Sequence, residues 1–519
     1  MANTYLFDMA LATVILYPLA LVVYRLYFHP LAKSPGPKIA AATDWYEAYH
    51  DLKSPGGQFM YRLKELHATY GPIVRVSPHE VHIQDSAFVD TLLVNPSQGV
   101  RDKYEPSASQ AGTPLGVFGT ALHNTHRRRR AALNPLFTKP CMAGVEGMIY
   151  DKVDLLINRI DRQIERDGYS ELRTAFTAMT LDVVSEYSLE RPLGLLEDET
   201  VAREWFATLR ALAKTIPWAK QFGWIMALSR KIPFSIMKIT APRLAMVAGM
   251  HYNMEAQALE AVREQQEIGE SDIGKTPRRL NPGEWHAVYR TLLQNNELPP
   301  HEKAHNRISH EAVTLIAAGG DTAASGLMMA AYFLISNGGD MLSKLREEVA
   351  SLNWDDGARP SAAHLERLPY LTAIVKELLR ISTLTHRLTR VAPAEPLQYK
   401  DWVIPAGAAV SITLRDISLD PEIFPEPREF RPERWLPGSN PDIDRCNRYL
   451  VPFGRGSRMC LGFNLAYAEL YITLAKLFRE RDFELVDTIR ERDVDFTRDF
   501  LAGGTSEESR GVRVRHAKK

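Results

Sequence analysis

One cysteine lies among glycines and arginines in the segment FGRGSRMCLG, residues 453–462. Neighbouring cations, here Arg455 and Arg458, stabilise a thiolate, as does the start of the helix predicted to follow. Cys460 is therefore a candidate metal ligand or nucleophile. Zinc would need further Cys or His ligands, and none lies within ten residues. A nucleophile would need a histidine base, which the spacing leaves open, whereas haem iron needs only one thiolate because the porphyrin supplies four ligands.

A second reactive pattern, Gly319-Gly320-Asp321-Thr322, lies inside an apolar segment, 308–337, whose periodicity predicts one long helix. Each glycine costs a helix about 1 kcal/mol relative to alanine, so the pair predicts a bend or a groove beside a ligand. An acid followed by a hydroxyl at such a groove could relay protons to that ligand.

The cysteine segment resembles the haem-binding loop of the cytochrome P450 family, in which Phe453, Gly456, Arg458, Cys460 and Gly462 fill every fixed position. The resemblance implies that haem b is the cofactor and that Cys460 is the axial ligand of its iron. It also implies that Arg458 meets a haem propionate and that Phe453 packs beneath the ring. The glycines of the loop would allow close backbone approach and positive φ.

The pattern around Asp321 and Thr322 resembles the family's oxygen-activation motif. Thr322 would then hold bound dioxygen through its hydroxyl, and Asp321 would connect it to solvent. The next residue, Ala323, departs from the family pattern, where a second hydroxyl is common. The departure leaves the predicted proton relay with one hydroxyl fewer.

A third resemblance is a pair at positions i and i+3, Glu377 and Arg380, together with Arg434 in the later segment FRPERW. Residues at this spacing share one face of a helix. In the family such a pair locks onto the later arginine, so we expect these three residues to be structural.

The run HRRRR, residues 126–130, resembles the family's helix with a Trp-x-x-x-Arg pattern, except that His126 stands in the tryptophan's place. The resemblance implies that Arg130 and His126 bind haem propionates, a task that suits the planar fork of arginine. Arg390 resembles a further propionate ligand. The other arginines of the run would face solvent or the redox partner.

The resemblance implies a monooxygenase that inserts one oxygen atom from dioxygen into a hydrophobic substrate, by hydroxylation or epoxidation. The segment RLYFHPLAKSPGPKIAA resembles fungal enzymes of secondary metabolism, so a terpenoid, alkaloid or polyketide is expected. The alternatives are a xenobiotic or aromatic-acid hydroxylase, and a haem-thiolate isomerase or dehydratase that does not activate dioxygen. No flavin or dinucleotide motif is evident, so electrons are expected from NADPH through a separate, membrane-bound NADPH-cytochrome P450 reductase.

Five segments are expected to contact the substrate: 104–117, 206–250, the long helix beside Ala317, 383–388 and 500–503.

The helical patterns favour one large catalytic domain, 41–519, mainly α with small β-sheets, and the resemblance implies that this domain has the cytochrome P450 fold. Residues 73–85 alternate and predict a short hairpin, and strand-like residues return at 402–412. The long helix is predicted to begin with Ser309 as its N-cap.

Residues 1–28 are predicted to be a single-pass transmembrane anchor, followed by a proline-rich hinge at 29–40. The uncharged stretch, 9–24, needs its flanks to reach the roughly 20 residues of a span. A secretory signal is the main alternative, but no basic region precedes the apolar run, and a buried helix is another. Because positive charges follow the run, we expect the endoplasmic reticulum membrane, with the catalytic domain facing the cytoplasm.

Composition excludes some classes of function. The 63 Lys and Arg residues equal the 63 Asp and Glu residues, so the global charge predicts no nucleic-acid partner. Three widely spaced cysteines do not make a disulfide framework, which favours a reducing compartment.

Overall fold

The computed structural model describes residues 16–229, 231–271, 288–354, 358–383 and 387–518. It is mainly helical with four small sheets, as the sequence predicts. In these ranges the helices are α1 (Leu16–Phe28), α2 (Lys38–Ala42), α3 (Trp45–Leu52), α4 (Phe59–Tyr70), α5 (Val89–Leu92), α6 (Glu105–Ser109), α7 (His123–Leu133), α8 (Lys139–Asp167), α9 (Leu172–Ser188), α10 (Glu199–Gln221), α11 (Gly223–Ser229), α12 (Phe234–Thr240), α13 (Pro242–Ser271), α14 (Val288–Gln294), α15 (His305–Ser336), α16 (Gly339–Ala350), α17 (Ala362–Leu365), α18 (Pro369–Ile381), α19 (Leu414–Ser418), α20 (Ile443–Tyr449) and α21 (Phe463–Glu480). The strands are β1 (Ile73–Arg75), β2 (Glu80–Ile83), β3 (Asp102–Lys103), β4 (Ser170–Glu171), β5 (Arg387–Val391), β6 (Leu397–Tyr399), β7 (Trp402–Ile404), β8 (Ala409–Thr413), β9 (Phe483–Leu485), β10 (Arg498–Asp499), β11 (Gly503–Gly504) and β12 (Arg513–His516).

The largest sheet has five strands in the order β1-β2-β8-β5-β3. The predicted hairpin is confirmed, with Ile73 of β1 opposite Ile83 of β2. Strand β8 pairs with β2 in parallel and with β5 antiparallel. The short edge strand β3 pairs with β5 and places Lys103 opposite Arg390. Strand pairing thus brings together two basic residues that lie far apart in the sequence.

Helix α15 is buried over most of its length, and α9 packs against it where the two glycines lie. A Cβ atom on Gly320 would lie 2.5 Å from Cδ2 of Leu181, and one on Gly319 would lie 3.0 Å from Cγ2 of Val184. Across the same contact the hydroxyl of Thr180 donates to the carbonyl of Gly320 at 2.6 Å. The helix continues unbroken through the pair, so close packing rather than a break explains the glycines.

The prediction that Ser309 caps this helix is wrong, because α15 begins at His305. The first turns are held by ion pairs instead. Arg307 pairs with Glu302, which precedes the helix, at 2.7 Å and with Glu311 at 2.8 Å. All three side chains are buried, and partners that come from tertiary packing leave no capping signal in the local sequence.

The segment after α1 is held against the largest sheet. Leu31 is buried in the core beside that sheet. Arg75 of β1 is also buried, and it donates to the carbonyls of Arg25, Leu31 and Pro78. These contacts fix the path of the chain between α1 and the sheet. The domain boundaries proposed from the sequence, 1–28, 29–40 and 41–519, remain predictions.

Helix α1 is short and apolar, and residues 1–15 of the predicted anchor lie outside the described residues. Among the described helices only α15 is long and apolar enough to cross a membrane, and it is mostly buried inside the protein.

Candidate active site

The cysteine loop joins α20 to α21 and folds back on itself. The N–H of Cys460 donates to the carbonyl of Phe453 at 2.9 Å, and the Phe453 ring packs against Tyr467 with centroids 5.4 Å apart. Gly456 has a φ of 73°, and a Cβ atom there would lie 2.2 Å from the carbonyl oxygen of Val94. Only glycine fits at that position.

Cys460 is an exposed residue, although protein surrounds it on most sides. Burial raises the pKa of the Cys460 thiol, whereas a hydrogen bond from the N–H of Gly462 and the charge of Arg130 act in the opposite direction. Gly462 itself has a φ of −87°, so the expectation of positive φ at this glycine is wrong. A thiol with a raised pKa is a weak nucleophile, and a bound metal would remove its proton. The raised pKa therefore favours a metal ligand over a catalytic nucleophile.

The cation beside the sulfur is Arg130, not the two arginines of the loop that the sequence indicates. Arg130 lies on α7 and donates to the carbonyl of Met459 at 2.6 Å. Arg455 pairs with Asp90 at 2.8 Å. Arg458 donates to backbone carbonyls of the segment before α7. Long-range packing thus changes which arginine acts on the thiol.

Five basic residues cluster next to this loop: Lys103, His126, Arg130, Arg390 and Arg458. Burial and the neighbouring cations lower the pKa of Arg458 to about 9 and that of His126 to about 2. Burial also lowers the pKa of Arg390 to about 10. Several positive charges placed together away from water cost free energy unless an anion lies between them. The cluster is therefore suited to bind an acidic group.

The hydrogen-bond partners of this cluster support the same conclusion. Arg390 donates to the carbonyl of the preceding residue at 3.0 Å, and Lys103 donates to the carbonyl of Phe118 at 2.9 Å. In the part of the chain that the structure describes, Nε of Arg458 and Nδ1 of His126 have no hydrogen-bond partner. Unused polar atoms of this kind need an acceptor or a donor from a ligand.

Lys103 was not predicted from the sequence. It lies on a strand of two residues, which is too short to show a periodicity. Only its pairing with β5 shows that it belongs with the predicted residue Arg390.

Asp321 and Thr322 lie on α15, and none of the described contacts joins them to the cysteine loop. Asp321 pairs with Arg173 of α9 at 3.0 Å, a partner that the sequence did not indicate. The hydroxyl of Thr322 donates to the carbonyl of Ala318 at 2.7 Å. Ala318 is exposed in the middle of this otherwise buried helix, so this strip of α15 borders an open space.

Glu377 of α18 lies at the centre of a buried ion-pair cluster. One oxygen is 2.7 Å from Nη2 of Arg380 and 3.0 Å from Nε of Arg434, and the other accepts the indole N–H of Trp435. Burial acts to raise the pKa of Glu377, but the two arginines outweigh it and lower the pKa. The contacts that the resemblance implies are present, and they tie α18 to the proline-rich segment before the cysteine loop.

Four of the five segments expected to contact substrate meet at one cavity. Its lining includes Ser107, Gln110, Ile216, Pro217, Arg387 and Phe500. The fifth segment, α15 beside Ala317, is not part of this lining. The sequence did not indicate that charged residues, Glu47 and Lys220 among them, also line the cavity.

Comparison with known proteins identifies the family. The sequence matches the cytochrome P450 family over residues 45–503. The chain belongs to the cytochrome P450 family. It is 37% identical to the cytochrome P450 monooxygenase MO6277 of Ascocoryne sarcoides over 97% of each chain. It is 37% identical to the tryptophan 6-hydroxylase fscE of Fusarium equiseti, over 95% of this chain and 94% of the relative. The N-acetyltryptophan 6-hydroxylase ivoC of Emericella nidulans is 36% identical over 98% of this chain and 97% of its own.

This cytochrome P450 is a monooxygenase, and its family implies a haem-thiolate cofactor. The residues fit that group. Cys460 is exposed and would present its sulfur to iron. Nε of Arg458 and Nδ1 of His126 beside it have no hydrogen-bond partner among the described residues, so a propionate would find unused polar atoms there. In the described ranges no three His, Cys, Asp or Glu side chains could hold a metal ion on their own.

Proposed function

We propose that this cytochrome P450 inserts one oxygen atom into a bulky hydrophobic terpenoid, alkaloid or polyketide of fungal secondary metabolism. The observation that carries the haem site is the accessible Cys460 beside buried cations whose polar atoms are not all used. Apolar side chains, including Phe59, Met60 and Phe500, form one part of the cavity lining and suit the hydrophobic part of a substrate, whereas charged residues such as Glu47 and Arg387 form the other part. Similarity to fungal monooxygenases over nearly the whole chain supports the metabolic setting.

The proposed site residues divide into two groups. Cys460 would be the axial ligand of the haem iron, and Phe453 with Gly456 and Gly462 would shape the loop that presents it. When bound, a haem with a thiolate ligand supplies dioxygen activation.

The second group would bind the propionates: Arg130, Arg390, Arg458 and Lys103 as cations, and His126 as a neutral donor. While no anion lies among the neighbouring cations, the imidazole of His126 is uncharged at neutral pH, because burial and those cations lower its pKa to about 2.

Proton delivery is proposed for Asp321 and Thr322. Arg173 holds the carboxylate of Asp321, and the hydroxyl of Thr322 donates to a carbonyl within the same helix. Both side chains are partly exposed at the strip of α15 that borders open space. A proton could therefore move from solvent through the carboxylate to the hydroxyl, once the carboxylate turns from Arg173.

We also propose that electrons come from NADPH through a separate cytochrome P450 reductase in the same membrane. The short apolar helix α1 supports an N-terminal anchor. The positive charges that follow it support a catalytic domain that faces the cytoplasm, and we propose the endoplasmic reticulum as the membrane.

Two measurements test the proposal. A carbon monoxide difference spectrum of the reduced protein should show the thiolate-specific Soret band, and Cys460→Ser should abolish it. With a reductase and NADPH, oxygen from labelled dioxygen should appear in the product. Turnover of a peroxide or oxime without label would instead support an isomerase or dehydratase. Tryptophan and N-acetyltryptophan are the first substrates to assay, since two relatives are named for their hydroxylation.

A further inference from the structure

Charged side chains form one part of the lining of the cavity described above. Five of them line it directly: Glu47, Asp51, Lys220, Arg387 and Asp499. A sixth, Glu80, is buried next to Arg387, with its Oε1 atom 3.7 Å from Nη1 of the arginine. Because a charge held away from water is costly unless an opposite charge lies beside it, the balance of these charges decides which ligands the cavity favours.

Both cations of the lining are already paired with a carboxylate. Oε1 of Glu47 is 2.5 Å from Nζ of Lys220, and the same oxygen contacts Nη2 of Arg387. Burial acts to raise the pKa of Glu47, but Arg387 and Lys220 outweigh it and hold the pKa at about 2. Glu47 is therefore ionised at neutral pH and neutralises charge on both cations, so neither is left to attract an anionic ligand.

Asp51, at the end of α3, is a carboxylate of the lining without a cation of its own. Its Oδ1 atom accepts the N–H of Phe59 at 3.0 Å, and it makes no ion pair with any residue that the structure describes. Burial and the charges of Glu47 and Asp499 raise its pKa to about 7, although Lys220 acts in the opposite direction. The side chain is partly exposed, so a ligand in the cavity can reach it.

Asp499, on β10, brings a second partly exposed carboxylate to the same place. Its Oδ1 atom accepts the N–H of Leu501 at 2.9 Å, and its own N–H donates to the carbonyl of Gly57, between α3 and α4. This contact keeps β10 beside the end of α3. The local charge is therefore negative, because Arg387 and Lys220 are the two cations among four carboxylates: Glu47, Asp51, Glu80 and Asp499.

Apolar side chains lie directly beside these carboxylates. Phe59, whose N–H binds Asp51, also lines the cavity with its side chain, and so do Met60 and Phe500. A ligand that fits both parts of the lining has an apolar body and a positively charged group. Aromatic rings such as those of Phe59 and Phe500 also favour a cation nearby.

We propose that this cavity selects substrates that carry a basic nitrogen, whose positive charge is held by Asp51 and Asp499. The inference rests on the proposed function, in which the cavity receives the substrate, and it narrows the substrate class to amines such as alkaloids. A terpenoid or polyketide without nitrogen would leave the two carboxylates without a cation. Asp51 and Asp499 are specificity-determining residues in this proposal and take no part in oxygen activation.

The test compares three probes that share an indole ring, by isothermal titration calorimetry of the full-length holoenzyme at pH 8. The first is the trimethylammonium derivative of tryptamine, whose nitrogen has no lone pair and cannot ligate iron. The second is its neutral isostere, in which a carbon atom replaces that nitrogen. The third is indolepropionate, an anion of similar size.

Asp51→Asn is the main variant, because it removes the charge and keeps an oxygen that can accept the N–H of Phe59. Asp44→Asn is the matched control. Asp44 lies seven residues earlier, its side chain is half exposed, and it is not part of the cavity lining. Both variants remove one carboxylate from the same region of the protein.

Asp51→Asn should weaken binding of the ammonium probe about tenfold to a hundredfold, because the probe loses a charge partner in a poorly solvated cavity. The neutral isostere should bind the variant within about twofold of the wild type, and indolepropionate should bind it more tightly than the wild type. Asp44→Asn should leave the Kd of all three probes unchanged. Asp499→Asn should weaken the ammonium probe selectively, as Asp51→Asn does.

Three results would overturn the inference. Unchanged affinity of Asp51→Asn for the ammonium probe would show that the carboxylate does not hold the cation. Equal weakening of the isostere would show that Asp51 only shapes the cavity. Tighter binding of indolepropionate than of the isostere to the wild type would show that Arg387 and Lys220 recognise an acid instead. If Asp51→Asn does not fold, Asp499→Asn decides, and an unchanged preference there refutes the inference.

Failure of this inference can be distinguished from failure of the proposed function. An intact carbon monoxide spectrum and labelled product, without selective loss of the ammonium probe in Asp51→Asn, would refute only the selection of amines. Loss of the thiolate-specific band in the wild type would refute the haem site, and calorimetry would still report on the cavity because it does not depend on the iron.

Discussion

Arg390→Met is expected to stabilise the haem-free protein and to weaken haem binding. Arg390 is buried, and burial lowers its pKa to about 10, more than two pH units below its usual value. At about 1.4 kcal/mol for each pH unit, the buried charge costs the haem-free fold about 3 kcal/mol. Because the folded protein holds this proton less tightly than the unfolded chain, the cost is fully present at pH 7. It declines as the pH rises through about 10 and is gone above the normal arginine pKa.

In the holoenzyme Arg390→Met is expected to have the opposite effect and to be unfavourable. A charge-assisted hydrogen bond to a propionate contributes about 1.5–3 kcal/mol, so its loss should weaken haem affinity about tenfold to a hundredfold. The control is Arg455→Met, because Arg455 lies in the cysteine loop but pairs with Asp90. That variant should leave haem affinity unchanged.

Two assays separate these effects. Urea unfolding of the haem-free protein gives the stability change, and transfer of haem to apomyoglobin gives the change in affinity. The reasoning would be refuted if haem-free Arg390→Met unfolded at a lower urea concentration than the wild type and the variant also lost haem faster. Arg390 would then act only as a structural residue. Unchanged haem transfer would equally refute its role in binding propionate.

Three further outcomes are expected. Gly456→Ala should prevent haem incorporation, because its Cβ would lie 2.2 Å from the carbonyl of Val94 at a positive φ; an intact carbon monoxide spectrum would contradict this. Glu377→Ala should destabilise the fold by about 3–5 kcal/mol in denaturant unfolding, because it leaves two buried arginines without their carboxylate; a loss below 1 kcal/mol would show that the cluster contributes little. Asp321→Asn should keep the carbon monoxide spectrum but slow NADPH-dependent product formation about a hundredfold; Arg173→Met, which frees the same carboxylate, should not mimic it.

The motifs that the sequence reveals are those whose partners are close along the chain or fixed by one turn of helix. Glu377 and Arg380 share a helix face at i and i+3, and their contact follows from helix geometry alone. The glycines and the cysteine of the loop likewise depend on local backbone shape. The start of α15 was misplaced at Ser309 because Glu302 and Arg307 hold it through buried ion pairs, which no local capping rule detects.

The sequence by itself determined the mainly helical fold and marked Cys460 as the candidate iron ligand, because helical periodicity and a glycine-rich loop are local properties of the chain. Only the tertiary structure decided which cations surround that residue. Lys103 meets Arg390 through strand pairing, and Arg130 rather than Arg455 reaches the sulfur through helix packing. Charge interactions act through space and fall off with distance, not with separation in sequence, so their partners are known only once the chain is folded.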